Sequence, residues 1–119
     1  MAKKAPVVLF IGADHTLEIT VVDSAEQPQT MTGWALEWVL RAQSFDGSGT
    51  VQTTKTTAGG QIATASSGGT NNRADITVAR ADTLSLPPGV YEHTLWRTDG
   101  GANTVIAWGP CTLAHPARQ

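Results

Sequence analysis

Polar and apolar residues alternate in several short stretches of this chain, and each stretch ends at residues that favour turns. In the segment TLEITVVD, Leu17, Ile19 and Val21 fall on one face and the polar side chains on the other. The segment ADITVA repeats the pattern further along the chain. A period of two is that of a β-strand with one buried face. The pattern therefore predicts strands as the main elements.

The segment WALEWVLRAQ is compatible with two structures. Alanine, leucine, glutamate and arginine are good helix formers, which favours a helix. Four large apolar residues nevertheless recur at every second position, namely Trp34, Leu36, Trp38 and Leu40. Because a strand would place all four on one face, we predict a strand here.

Five further stretches bring the predicted set to about seven or eight short strands. They are the apolar run Val7–Ile11, TVQTTKTT, QIATAS, and the two halves of Leu86–Pro110, the second of which CTLA continues. Turns are expected at Asp46-Gly47, at SGGTNN and at Gly100-Gly101, and one helical turn in RADTLSLPPG. This spacing predicts an all-β, antiparallel sandwich, with residues 1–119 forming one domain that has short N- and C-terminal arms.

Composition narrows the class of protein. The 119 residues carry a net charge of −2, so no basic excess favours nucleic acid or an anionic membrane as a partner. The one cysteine, Cys111, forms no internal disulfide. The start, MAKKAPVVLFIGADH, is a poor signal peptide because its apolar run is short, and no stretch approaches the roughly 20 apolar residues of a membrane span. We therefore expect synthesis in the cytoplasm.

The segment DTLSLPPGVY predicts a structural corner before a late strand. In immunoglobulin-like (Ig-like) sandwiches a tyrosine near the start of such a strand bonds to the backbone of the preceding corner. Asp82, Leu86, Gly89 and Tyr91 have the spacing that such a corner needs. Proline restricts the backbone, glycine permits the reversal, and Tyr91 would close the corner. The alternative is that Tyr91 is an ordinary core aromatic residue.

The strand after this corner carries a large ring on both faces. Strict alternation places Trp96 and Glu92 opposite Tyr91, and Trp108 is expected to be the cross-strand partner of Trp96. The predicted interaction face consists of Trp96, Trp108, Glu92 and Arg97. Such a face suits protein docking, because tryptophan dominates interface hot spots. Glycan stacking and an ordinary core role are the alternatives.

Candidate reactive groups have ordinary explanations. Asp14, His15 and Asp23 form a conceivable metal set, but an Asp-His pair before a strand is more typical of a turn. Glu92 and His93 are adjacent in a strand, so they point to opposite faces and form no dyad.

Three other features lack the partners that chemistry needs. Cys111 lacks a suitably spaced histidine and reads as a small buried apolar residue. The GSG and GG stretches lack the residues of a phosphate loop. A cross-link from Lys55 to an asparagine or aspartate would need a buried catalytic acid and a strand-facing asparagine, whereas the asparagines fall in predicted loops. We predict no catalytic residue, no cofactor and no metal site.

Four segments occur in an order that resembles a known family. They are LFIGADHTLEITVVD, TMTGWALEWVLRA, KTTAGGQI and ITVARADTLSLPPGVYEHTLWRTDGGANTVIAWG. Together they cover most of the chain and resemble small structural proteins of tailed bacteriophages, similar to the Ig-like N-terminal domain of phage upper-baseplate proteins. The chain departs from that pattern at Trp96, where the family often has lysine or arginine, and at Trp108, where it often has tyrosine or leucine.

The resemblance implies a non-enzymatic virion component with an Ig-like β-sandwich. It would dock on other virion proteins, with tail or baseplate placement preferred over capsid decoration on the head. Virion symmetry makes a homo-oligomer, such as a trimer, the expected state. A carbohydrate-binding module that aids host adhesion is the alternative function. Neither nucleic acid nor a membrane is an expected partner.

Overall fold

Nine strands and one helical turn make up the fold in the computed structural model, which describes residues 3–23, 25–43, 49–66, 71–99 and 103–115. The first strands are β1 (Lys3–Lys4), β2 (Val7–Phe10), β3 (His15–Thr20), β4 (Leu36–Ala42) and β5 (Val51–Thr56). They are followed by β6 (Ile62–Ala65), β7 (Arg73–Val78), α1 (Arg80–Thr83), β8 (Gly89–Arg97) and β9 (Thr104–Ala114). The all-β prediction is confirmed. Within the described ranges, no helix has the length and apolar character needed to cross a membrane.

The strands form two sheets. The larger sheet has six strands in the order β1-β9-β8-β4-β5, with β2 also paired to β9, and the smaller has the order β3-β7-β6. The expectation of purely antiparallel pairing is wrong for the larger sheet, because β1 and β2 both run parallel to β9. A period-two pattern assigns faces to a strand but says nothing about its direction, and no short hairpin joins these strands.

The segment with two possible structures is a strand. β4 buries Leu36, Trp38 and Leu40 on one face, as its alternation predicted, and each is at most 1% exposed. Trp34 precedes the strand and packs against the core while half-buried. The strand forms despite the helix propensity of this segment. Burial of the large side chains against the facing sheet stabilises the strand by more free energy than the helix propensities would contribute.

One apolar core lies between the sheets. The smaller sheet contributes Leu17 and Ile19 of β3 with Ile76 of β7, and the larger contributes Trp38 of β4 with Leu95 of β8. These residues occupy the inward positions of their strands, so the outward positions of the larger sheet form a separate surface. The predicted turns at Asp46-Gly47 and Gly100-Gly101 and most of the SGGTNN tip lie outside the described residues.

Candidate functional site

The structure contains the predicted corner before β8, and Tyr91 closes it with a hydrogen bond. The Tyr91 hydroxyl donates to the carbonyl oxygen of Pro87 at 2.7 Å, and the ring is buried. Burial raises the pKa of Tyr91, so the hydroxyl keeps its proton and remains a donor. Gly89 has a φ of +150°, which other residues rarely adopt. The Leu86 amide closes the approach to this corner by donating to the Thr83 carbonyl at 2.9 Å.

Asp82 anchors the other end of the corner. Its Oδ2 accepts from the Ala79 amide at 2.7 Å and also lies 2.7 Å from Nζ of Lys55. Lys55 projects inward from β5, and both side chains are largely buried. The pair fastens the helical turn α1 to the edge strand of the larger sheet. Lys55 therefore has an aspartate, Asp82, as its partner in an ion pair.

The outward face of the larger sheet holds Glu92, Trp96 and Trp108, as alternation predicted. Trp108 is 46% exposed, whereas Trp96 and Glu92 are half-buried. The expected Trp96–Trp108 pairing is wrong, since Trp108 lies opposite Thr94. An extra residue in β9 shifts the register beside Trp96 and places Val105 opposite it.

Arg97 does not join this face. Its guanidinium carbon lies 4.0 Å from the centroid of the Trp34 ring, and its Nε donates to Oδ1 of Asp99 at 2.8 Å. Arg97 pairs across the sheet with Leu36, whose side chain is in the core. It therefore belongs with the opposite side of β8. The hydrogen bond from Arg97 holds the pKa of Asp99 below its ordinary value.

A cleft of about 320 Å³ opens beside Trp108 on the outward face. Two cross-strand rows border it: Lys4, Trp108 and Thr94 on one side, and Pro110 and Glu92 on the other. Gln43 and the Gly109–His93 pair complete the lining. The Nζ of Lys4 lies 5.8 Å from the centroid of the Trp108 ring, within cation–π range. The cleft therefore combines one aromatic ring with charges of both signs.

An apolar end of the same face consists of Val8, Phe10 and Val90. They are 59%, 43% and 47% exposed, respectively. Val8 and Val90 lie on either side of Thr112 in the register of β2, β9 and β8, so the Thr112 side chain stands between the two valines on this face. The sequence pattern predicted a strand at Val7–Ile11, but it predicted neither the contribution of Val90 to this group nor that of Lys4 and Gln43 to the cleft. The continuous apolar run at Val7–Ile11 was the available signal, because only one face of an edge strand is needed for the core.

His93 connects three segments inside the larger sheet. It is 1% exposed, and its Nδ1 accepts from the indole Nε1–H of Trp38 at 3.0 Å. The other nitrogen, Nε2, then carries the proton and donates to the carbonyl oxygen of Ala5. Burial lowers the pKa of His93, since a charged ring would lose its solvation and could not accept from Trp38. Gly109 lies opposite His93 in the register, and a side chain there would crowd the Ala5 backbone.

The three side chains considered for a metal site each accept hydrogen bonds from different backbone amides. Asp14 Oδ1 accepts from the Arg80 amide, His15 Nε2 from the Phe10 amide, and Asp23 Oδ1 from loop amides. Among the residues that the structure describes, no group of three or more histidine, cysteine, aspartate or glutamate side chains could hold a metal ion. Cys111 is fully buried, which raises the pKa of its thiol to about 12 and makes it a poor nucleophile.

A scan against protein-family models and a search of curated proteins found no match to this chain.

Proposed function

We propose that this chain is a non-enzymatic structural module of a tailed-phage virion that docks on other virion proteins. The four segments that resemble phage structural proteins support this class. The apolar end of the outward face supports the docking role, because a clustered exposed apolar surface favours protein contact. Tail or baseplate placement ranks ahead of head decoration by analogy with the upper-baseplate domains.

The strand order supports an Ig-like fold for this module. In variable-type Ig domains the larger sheet contains strands G, F, C and C′, and the other sheet contains B, E and D. Here β9-β8-β4-β5 and β3-β7-β6 follow those two orders when β3 to β9 are read as B to G with C′ between C and D. The N-terminal strands β1 and β2 pair with β9 instead of with β3. This differs from the constant-type arrangement, in which strand A belongs to the sheet that contains strand B.

Three side chains add to this support. A buried tryptophan on strand C and a tyrosine corner at the start of strand F are Ig hallmarks, and Trp38 and Tyr91 hold those places. The second cysteine of antibody domains follows that tyrosine by two residues, and here the position is His93. The Trp38–His93 hydrogen bond joins strands C and F within one sheet, whereas the antibody disulfide joins strands B and F across the two sheets.

The apolar end carries the docking proposal because its side chains have no role in the core. Leu9 points inward and is fully buried, while Val8 and Phe10 on either side of it point outward. Burying an exposed valine or phenylalanine in a partner would contribute roughly 1–3 kcal/mol per side chain. No charged residue interrupts β2, so an apolar partner surface would bury no charge there.

Assembly of particles with variant protein tests the proposal. Val8→Glu places a charge in the apolar end, and we expect its incorporation to fall about tenfold or more. Val51→Glu is the matched control, because Val51 is 43% exposed on the other edge strand of the same sheet. Quantitative mass spectrometry of purified particles would report both variants. Equal incorporation of the two variants contradicts docking at the apolar end.

The number of copies in each particle tests placement. Head decoration requires hundreds of copies, whereas a baseplate requires few. The oligomeric state of the free protein, measured by light scattering, tests the homo-oligomer that virion symmetry suggests. Absence of the protein from purified particles would contradict the virion proposal as a whole.

A further inference from the structure

The cleft beside Trp108 differs in chemistry from the apolar end of the same face. Trp108 and Thr112 are four residues apart on β9, which places the ring roughly 13 Å from the apolar end, while Glu92 at the edge of the cleft lies two residues from Val90 on β8. The apolar end is bordered by valine and phenylalanine side chains, whereas the cleft has an ammonium, a carboxylate, an amide and a hydroxyl around one indole ring. Two different surfaces on one sheet indicate two different ligands.

The ring of Trp108 is the apolar component of the cleft. It is 46% exposed although it occupies the middle of the longest strand, where neighbours on both sides could cover it. Its cross-strand neighbours are small or flexible, namely Thr94 on β8 and Lys4 on β1. The Lys4 ammonium lies over the ring at 5.8 Å from its centroid, yet 46% of the residue stays exposed, so a flat apolar surface of a ligand can still reach the ring.

The polar groups around the ring supply donors and acceptors in balance. Lys4 donates, Glu92 accepts, and Thr94 and Gln43 do both. The neighbour of Glu92 on β4, Arg41, directs its guanidinium to the Gly49 carbonyl oxygen at 3.2 Å. The guanidinium of Arg41 therefore binds a backbone carbonyl, and Glu92 lines the cleft.

This combination favours a ligand without net charge. For a phosphate or a carboxylate, repulsion by Glu92 offsets the attraction to Lys4, and for a cation repulsion by Lys4 offsets the attraction to Glu92. A purely apolar ligand would leave both charges desolvated and unpaired. A neutral saccharide has an apolar face of C–H groups and a rim of hydroxyls that both donate and accept. The volume of about 320 Å³ is at the small end for ligand sites, which suits one or two sugar rings.

We propose that the cleft beside Trp108 binds a neutral saccharide, with the sugar ring stacked on the indole and its hydroxyls bonded to Glu92, Gln43 and Lys4. This site is separate from the proposed docking surface. A virion component with such a site would add weak contacts to host glycans, and repetition of the module in a symmetric particle would multiply their strength.

Titration followed by NMR tests the site directly on the full chain. The probes are methyl α-glucoside, methyl β-galactoside, N-acetylglucosamine, maltose and N,N′-diacetylchitobiose, each up to about 20 mM, since binding by so few groups is expected in the millimolar range. We expect saturable shifts of the Trp108 indole N–H signal with at least one probe. Trp108→Ala should abolish binding, and Glu92→Gln should weaken it about tenfold.

Two matched variants make the result specific. Trp96→Ala removes a ring on the same face outside the cleft, and Val8→Glu disables the proposed docking surface, so both should bind the probe like the parent. Loss of docking by Val8→Glu with sugar binding retained separates the two proposals. No saturable shift with any probe, or binding that survives Trp108→Ala, overturns the saccharide site.

Discussion

Individual side chains in this protein are held by specific polar contacts inside an apolar frame. Tyr91 closes the corner through Pro87, and His93 links Trp38 to the Ala5 backbone. The Tyr91 and His93 side chains are buried, so each hydrogen bond satisfies a polar atom that has lost most of its contact with water. Loss of either partner should therefore destabilise the fold.

Tyr91→Phe tests the corner. Removal of the hydroxyl leaves the Pro87 carbonyl without this donor, and we expect a loss of about 1 kcal/mol in the free energy of unfolding. Gly89→Val should cost more, because a β-branched side chain resists a φ of +150°. Urea denaturation of both variants measures the effect. Unfolding midpoints equal to that of the parent would show that the corner contributes nothing to stability.

His93 makes stability depend on pH. Its folded pKa lies below the ordinary value of 6.5, so below that pH the unfolded chain binds more protons than the folded protein. Stability should be highest above about pH 6.5 and should fall toward pH 5, by at most about 1.4 kcal/mol per pH unit. Denaturation curves at several pH values measure this slope.

The control for this prediction is a pair of histidine variants. His93→Asn retains an acceptor for the Trp38 indole but cannot titrate, so its slope between pH 5 and 7 should be smaller than that of the parent. His115→Gln changes an exposed histidine and should leave the slope unchanged. A parental slope in His93→Asn would assign the pH dependence to other groups.

At the scale of elements, the edges of the larger sheet are held in different ways. β2 is anchored by Leu9 in the core, and its Phe10 amide is taken by the His15 ring at 3.0 Å. On the opposite edge, β5 is anchored by the Lys55–Asp82 ion pair. Both devices limit unwanted pairing of the edges with other chains.

Asp82→Ala tests the anchor of β5. It leaves the Lys55 ammonium largely buried without its carboxylate, and we expect a loss of about 2 kcal/mol, which is below the range for fully buried pairs. The double variant Lys55→Met/Asp82→Ala should recover part of this loss, because no charge then remains to be desolvated. Thermal melts of the parent, the single variants Asp82→Ala and Lys55→Met, and the double variant compare them. Additive losses in the double variant would contradict a direct coupling between the pair.

At the scale of the whole molecule, the two sheets share one core and should unfold together. The core cluster includes residues from β2, β3, β4, β6, β7, β8 and β9, so neither sheet has an apolar core of its own. Cooperative unfolding of this kind is usual for single domains of such size. The outward face takes little part in the core, which leaves it free for binding.

Trp38→Ala tests this cooperativity. The loss of a fully buried ring should cost about 3–5 kcal/mol, and circular dichroism and fluorescence should still report one shared transition. Trp108→Ala should change stability by only about 0.5 kcal/mol, since its ring lies half in solvent. Separate transitions for the two probes would show that the sheets unfold independently.

The sequence by itself determined the all-β class, the burial pattern of β4 and the corner at Tyr91. These features depend on local alternation and on turn chemistry, which a chain carries in the order of its residues. It also determined which face of β8 would hold Trp96 and Glu92, because alternation follows from strand geometry alone.

Only the tertiary structure decided the parallel pairing of β1 and β2 with β9, the register that separates Trp96 from Trp108, and the partners of Lys55 and Arg97. Strand direction and register depend on contacts between residues that are far apart in the chain, and no local pattern encodes them. The cleft beside Trp108 arises in the same way, since Lys4 and Glu92 reach it from strands at opposite ends of the sequence. Its existence follows from how the sheet is assembled and from no single segment.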